Sequence, residues 1–162
     1  MKIVQVKIND LDVVLDFWKA QHELHFKLDS DYYKPNSPKL DKLAKDYFEK
    51  TIVSNTPHIL VAKIQNKVVG FITFDEKRSD LSGIEAFASN CSSYVEVIDL
   101  FIDEEFRGKN IGKSLMEKAE EYCQKVGLHK ILVEVAAANI GAQSFYKKLG
   151  FILQQTKMFK KV

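Results

Sequence analysis

The chain has 162 residues, of which 46% are hydrophobic and 28% charged, with a formal net charge of +2; that is enough for one well-formed core and short for two. So small a charge, with no basic run outside a single turn, gives no reason to expect nucleic acid or an acidic membrane as a partner. No run of about eighteen apolar residues occurs, MKIVQVKI lacks the features of an export signal, and Cys91 and Cys123 have neither CxxC spacing nor a histidine at ligand spacing, so the expectation is a cytoplasmic protein with no disulfide framework and no metal site.

Ile3 to Ile8 alternate apolar with polar and read as a first strand. Asn9 or Asp10 then caps a helix whose apolar face is Leu11, Val14, Leu15, Trp18 and, further on, Leu24 and Leu28. From His22 to Tyr33 the periodicity blurs. The histidines, Asp29, Asp31 and the paired tyrosines there either line a polar pocket or, more commonly for such a stretch, form a helix end and a loop. Ser37-Pro38 opens a second helix, with Leu40, Leu43, Ala44, Tyr47 and Phe48 on one face. Pro57 to Ile64 and Val68 to Phe74 flank Gln65-Asn66-Lys67 as an antiparallel hairpin, and Gly70 marks a bulge. Asp75 to Ser93 is polar and reads as a long loop with a short helical turn around Glu85 to Ala88.

Val95 to Ile102 is β-branched and aromatic and reads as a buried strand that stops at Asp103-Glu104-Glu105. From Ile111 the apolar residues Leu115, Met116, Ala119, Tyr122, Cys123 and Val126 fall on one helical face, which Gly127 ends. Lys130 to Ala136 is another strand; Asn139 caps a short helix with Ala142, Phe145, Tyr146 and Leu149 inward; Phe151 to Gln155 and Thr156 to Phe159 are late strand candidates. The order is β, two helices, a hairpin, a long loop, then β-helix-β-helix-β, which is α/β with a mixed sheet.

The turn Arg107-Gly108-Lys109-Asn110-Ile111-Gly112 joins a strand end to a helix start, where free backbone N–H groups and the positive end of the helix dipole receive an anion. Arg107, Lys109 and Lys113 add formal positive charge, so a phosphate or pyrophosphate is the natural guest; the plain alternative is a tight turn with solvated lysines. GKNIGKS ends like a nucleotide-binding P-loop, but three residues stand between Gly108 and Gly112 where a P-loop needs four, so nucleotide hydrolysis is disfavoured.

The turn resembles the acyl-CoA-binding signature of the GNAT superfamily of N-acetyltransferases: Arg or Gln, two residues, Gly, one residue, then Gly or Ala. Arg107 and Gly112 match, while Asn110 stands where the family usually has glycine, and asparagine tolerates left-handed backbone angles. Asn139 to Phe151, NIGAQSFYKKLGF, is similar to the family's second conserved segment. The resemblance implies one GNAT-like domain over residues 1–162, a mixed central sheet flanked by helices, acetyl-CoA as co-substrate and no metal. It implies that backbone amides of Arg107, Gly108, Lys109, Asn110, Ile111, Gly112, Lys113 and Ser114 hold the coenzyme pyrophosphate. By the same resemblance a backbone N–H of Leu100, Phe101 or Ile102 makes the oxyanion contact, Asn139 touches the pantetheine arm, and Tyr146 protonates the leaving thiolate. For Asn139 and Tyr146 the competing readings are a plain N-cap and a packing residue. A homodimer is common in the family.

Moving an acetyl group to an amine needs a base, because an alkylammonium with a pKa of about 10 must lose a proton before attack. Glu96, Asp99 and Glu134 qualify: Glu96 sits where some family members carry the base, and Asp99 lies nearer the strand irregularity expected beside the thioester. The resemblance thus implies an acetyl-CoA-dependent N-acetyltransferase acting on a primary amine of a small molecule, protein or peptide. Its rival is a non-catalytic acyl-CoA-binding module, to which the departure at Asn110 lends support. A polyamine or other cationic acceptor is compatible with Asp29, Asp31 and Glu85.

Overall fold

Hydrophobic periodicity resolves into five strands and four helices among residues 1–78, 93–158 and 160, which the computed structural model describes. In chain order they are β1 (Lys2–Gln5), α1 (Leu11–Leu28), α2 (Pro38–Ser54), β2 (His58–Ile64), β3 (Lys67–Arg78), β4 (Ser93–Ile102), α3 (Ile111–Lys125), β5 (Ile131–Val133) and α4 (Ile140–Lys148). They form one sheet in the order β1-β2-β3-β4-β5, antiparallel through β4, with β5 parallel to β4. The β2–β3 hairpin closes at Ile64 and Lys67 because Gln65 and Asn66 both take left-handed angles, φ 49° and 65°, the twist-matched geometry of a two-residue turn. The parallel pair follows from the crossover through α3.

The strands bury both faces. Against one, Ile72, Phe74, Val95 and Val97 pack with Ile111, Leu115, Met116 and Ala119 of α3, and α4 adds Phe145 and Tyr146. Against the other, Ile59, Val61 and Phe71 pack with Val14 and Leu15 of α1 and Ala44 and Phe48 of α2. Cys123 lies in the first of these cores.

Several elements depart from the sequence reading. β1 ends at Gln5 because the Asp10 carboxylate accepts the Lys7 N–H at 3.1 Å and turns Ile8–Asp10 into a single 3-10 turn, with Lys63 Nζ at 2.7 Å from the same carboxylate. α1 runs through the blurred stretch to Leu28, and His25 stacks on Tyr33 at 5.0 Å, so this stretch is a helix end and loop. Ser37 caps α2 as expected, but Leu43 and Tyr47 are exposed, leaving Ala44, Phe48 and Thr51 as its buried residues. Residues 151–158 form no strand: β5 is three residues long and offers little edge to pair with, and Ile152, Leu153 and Met158 stand in solvent. The turn expected at Glu85 to Ala88, Cys91 and Phe159 lie outside the described residues. No described helix is long and apolar enough to cross a membrane.

Candidate active site

A single extra residue in β4 shapes the site. Thr73 of β3 pairs with Asp99 and Phe74 with Val97, so Ile98 has no partner and forms a bulge. Before it Val95 and Val97 face α3; after it Leu100 and Ile102 take that face and Phe101 joins the α1/α2 side. The slip of one position turns Asp99 toward α1, where Gln21 Nε2 donates to Asp99 Oδ1 at 3.3 Å. Asp99 is only 9% exposed. Burial pushes its carboxyl up to about 6, with the Gln21 hydrogen bond and the neighbouring Thr73 hydroxyl holding it below what burial alone would give. Gln21 Oε1 and Thr73 Oγ1 are themselves buried with no partner in hydrogen-bonding geometry among the described residues.

Beside Asp99 lies a cleft of about 290 Å³ lined by Trp18, Leu40, Leu43, Tyr47, Ile98 and Asp99. On the other side the sheet opens. β5 pairs with β4 only from Val95 to Val97, so the outer edge of β4 at Leu100, Phe101 and Ile102 has no strand beside it among the described residues.

The other two carboxylates are placed differently. Glu96 is 29% exposed and stands 3.8 Å from Lys77 Nζ, which also holds Asp75 at 3.1 Å. Glu134 lies past the end of β5, 70% exposed, in an ion pair with Lys157 at 3.0 Å. The fold therefore sets Asp99 alone in the interior, leaves Glu96 compensated by a lysine, and turns Glu134 out of the site.

Tyr146, on α4, packs between Phe145 and Phe151 with ring centroids 5.1 and 5.4 Å away. Burial pushes its phenol up to about 12, and the Asp99 charge adds to the rise. Its hydroxyl therefore stays protonated. Asn139 is an N-cap, its side-chain oxygen accepting the Ala142 N–H at 3.0 Å.

The turn before α3 has the backbone its sequence requires. Gly108 has φ 75° and Asn110 φ 61°, so Asn110 adopts the left-handed conformation that glycine usually supplies. The Asn110 side chain makes no capping hydrogen bond, and the first helical bond runs from Ser114 N to Asn110 O. The N–H groups of Ile111, Gly112 and Lys113 thus have no partner within the helix. That is a fit for an anionic pyrophosphate. Around them Arg107 bonds Ile102 O at 3.2 Å and Glu104 at 3.1 Å, Lys109 bonds Glu105 O at 3.0 Å, and Lys113 lies 3.9 Å from Glu117. Ile111 is buried in the core and offers its backbone alone. A Cβ on Gly112 would stand 3.2 Å from Phe145 Cζ and press on that ring where α3 meets α4.

Sequence reasoning missed Gln21, Thr73 and the cleft. Gln21 and Thr73 carry no local signal, since each matters through a neighbour distant in sequence. The cleft had one: five apolar residues on α2 make a wider face than its contact with the sheet uses.

The model of the acetyltransferase (GNAT) family matches residues 21–151. An uncharacterized N-acetyltransferase of Methanocaldococcus jannaschii is 33% identical over 149 residues, 92% of this chain, and the chain spans 59% of that relative's length. Among solved structures, a mutant protein of Bacillus halodurans superposes with a TM-score of 0.89 at 23% identity, covering 100% of this chain and 99% of that one. A predicted acetyltransferase of Clostridium acetobutylicum, solved with acetyl-CoA, superposes with a TM-score of 0.70 at 17% identity over 99% of this chain and 94% of that one. With its bulged β4, its sheet opening beyond Val97 and its uncapped helix start, this chain belongs to the GNAT family of acetyltransferases.

Proposed function

We propose that the chain is an acetyl-CoA-dependent N-acetyltransferase, one domain over residues 1–162, acting on a primary amine of a small molecule or peptide, with Asp99 taking the amine's proton and Tyr146 supplying one to sulfur. The observation that carries the reading is Asp99, a carboxyl buried at the point where the sheet opens and poised at about 6. A base that titrates near the working pH is the effective one, because it is ionised yet still basic. Glu96, held by Lys77, is the weaker candidate.

Bound acetyl-CoA supplies the acetyl group as a thioester. Residues 107–114 hold its pyrophosphate through the free N–H groups that open α3. Backbone N–H groups on the unpaired edge of β4, at Leu100 and Ile102, which alternate with those directed to β3, face the carbonyl oxygen and stabilise the charge that develops there. The ammonium first gives one proton to Asp99, which releases it to solvent; the C–N bond then forms at the thioester carbonyl and the C–S bond breaks, the nitrogen losing its second proton to Asp99 while the Tyr146 proton goes to the departing sulfur and the phenolate regains one from solvent. The rival reading, a binding module without turnover, drew support from the departure at Asn110, and that residue keeps the left-handed angle a glycine would supply there.

Steady-state release of free coenzyme thiol with a panel of amines tests the reading. Asp99→Asn is expected to lower kcat/KM at neutral pH by a factor of about 100 while acetyl-CoA affinity holds, and Glu96→Gln to stay near wild type. Full activity in Asp99→Asn removes Asp99 as the base.

A further inference from the structure

The cleft beside Asp99 has an unusual balance of surfaces. Its walls come from α1 (Trp18), α2 (Leu40, Leu43, Tyr47) and the bulge (Ile98), and Asp99 is the only charged residue among the described residues that line it. Leu43, Tyr47 and Ile98 are all exposed, so three large side chains from two elements present apolar surface to the same small space. Nothing in their own packing requires this: Ala44 and Phe48 already fill the contact between α2 and the sheet. Tyr47 senses the carboxylate, its phenol pushed up by burial and by the Asp99 charge. Gln21, which donates to Asp99 at 3.3 Å, fixes the carboxylate from outside the residues that line the cleft. One carboxylate in an otherwise apolar lining suits a single ammonium group.

The lining also argues by what it does not contain. No lysine, arginine or histidine is among the described residues that line it, so a phosphate or carboxylate on the acceptor would meet no cation among them. Among the described residues a polycation would find one acid for several charges; Asp41 is held by Lys19 at 3.2 Å and Asp75 by Lys77 at 3.1 Å. A space of about 290 Å³ is at the small end for a ligand site, room for one ring or a short alkyl chain.

Resting on the reading of Asp99 as the group that meets the amine, we propose that the acceptor is a monoamine whose amino group is carried on a compact apolar body, an aryl-alkyl or branched alkyl amine, with that body against Trp18, Leu43, Tyr47 and Ile98. A free amine and the N-terminal residue of a peptide share this chemistry. Polyamines, amino sugars and their phosphates are excluded from the class.

The test compares phenethylamine, a Phe-initiated tripeptide, ethanolamine, spermidine and glucosamine 6-phosphate as acceptors, with acetyl-CoA binding followed separately by calorimetry. Phenethylamine or the tripeptide is expected to exceed ethanolamine in kcat/KM by a factor of about 100, the worth of a filled apolar pocket. Which of the two is preferred reports whether the source is a free amine or a chain end, and either result supports the class. Leu43→Gln, at an exposed position that the fold tolerates, is expected to cut the ratio of phenethylamine to ethanolamine about tenfold, chiefly through KM. If acetyl-CoA binds and the polar amines match or exceed phenethylamine, the inference is overturned and the proposed function stands. If acetyl-CoA does not bind, it is the proposed function that falls. If acetyl-CoA binds and no amine is turned over, phenethylamine binding to the complex with coenzyme A decides: saturable binding weakened by Leu43→Gln supports the acceptor class, and no binding overturns it.

Discussion

Replacing Asp99 with asparagine keeps the shape of the side chain and removes a charge from the interior, so it isolates the cost of holding that carboxylate ready. Burial raises the carboxyl from 3.8 to about 6. Between those values the folded protein keeps a proton that the unfolded chain has released, so stability falls as pH rises through the window. A shift of about two units corresponds to about 3 kcal/mol once both states are ionised, of which roughly 2 kcal/mol is lost between about pH 4.5 and pH 7.5. Gln21, Thr73, Tyr47 and Tyr146 surround the group, and none of them is charged at neutral pH. Urea unfolding of both proteins at the two pH values reads the effect, since every other titrating group cancels in the difference. The asparagine variant is expected to gain roughly 2 kcal/mol on the wild type over this range, or about 4–8 °C in Tm. It is expected to be the less active protein at the pH where it is the more stable. Stability curves that run parallel from acid to neutral pH would refute the reasoning, because Asp99 would then ionise like an ordinary surface aspartate.

Tyr146→Phe keeps the ring between Phe145 and Phe151 and deletes the proton donor, so single-turnover acetyl transfer is expected to slow by a factor on the order of 100 with acetyl-CoA affinity unchanged; an unchanged rate leaves Tyr146 a packing residue. Gly112→Ala places a methyl 3.2 Å from Phe145 Cζ and is expected to cost about 1–3 kcal/mol in denaturant unfolding, recovered in part by Phe145→Leu. Asn110→Ala forces a Cβ residue without a polar side chain into φ 61° at a cost of about 1–2 kcal/mol, whereas Asn110→Gly is expected to match or exceed wild type in stability and acetyl-CoA binding.

What could be read from the sequence was what depends on neighbours along the chain. Ser37-Pro38 and Asn139 announce their helices because a cap acts within three residues, and both caps are present. Gln65-Asn66 announces a hairpin because the turn must take left-handed angles that asparagine accepts. Asn110 was legible in the same way, as a departure that keeps the required backbone. The choice among Glu96, Asp99 and Glu134 was not legible, because it depends on which carboxylate the sheet buries, and that is set by pairing with Thr73 and by a helix 78 residues away in sequence, through Gln21. Alternation alone would have put Asp99 on the same face as Val95 and Val97. The late strands failed for a related reason: apolar residues at 151–153 satisfy a strand pattern, but a strand also needs an edge, and β5 ends at Val133.

The bulge at Ile98 ties these features together. Were Ile98 paired regularly, with no bulge, Asp99 would enter the α3 core among Leu115 and Met116, a predominantly apolar setting for a carboxylate. With it, the carboxylate turns to Gln21, Ile98 becomes a wall of the cleft, and Leu100 and Ile102 regain the α3 face and keep the strand anchored. Pairing with β5 stops one residue before the same place. A flat β4 paired along its whole length would give a better-connected sheet with no unpaired N–H groups and no inward acid. Among the described residues the chain instead leaves one carboxylate costly to ionise, acceptors without partners on its neighbours Gln21 and Thr73, and the edge of β4 open just beyond it. Each is destabilising when taken alone, and their coincidence at one irregularity in an otherwise well-packed sheet is the strongest structural argument that this point is where the protein does its chemistry.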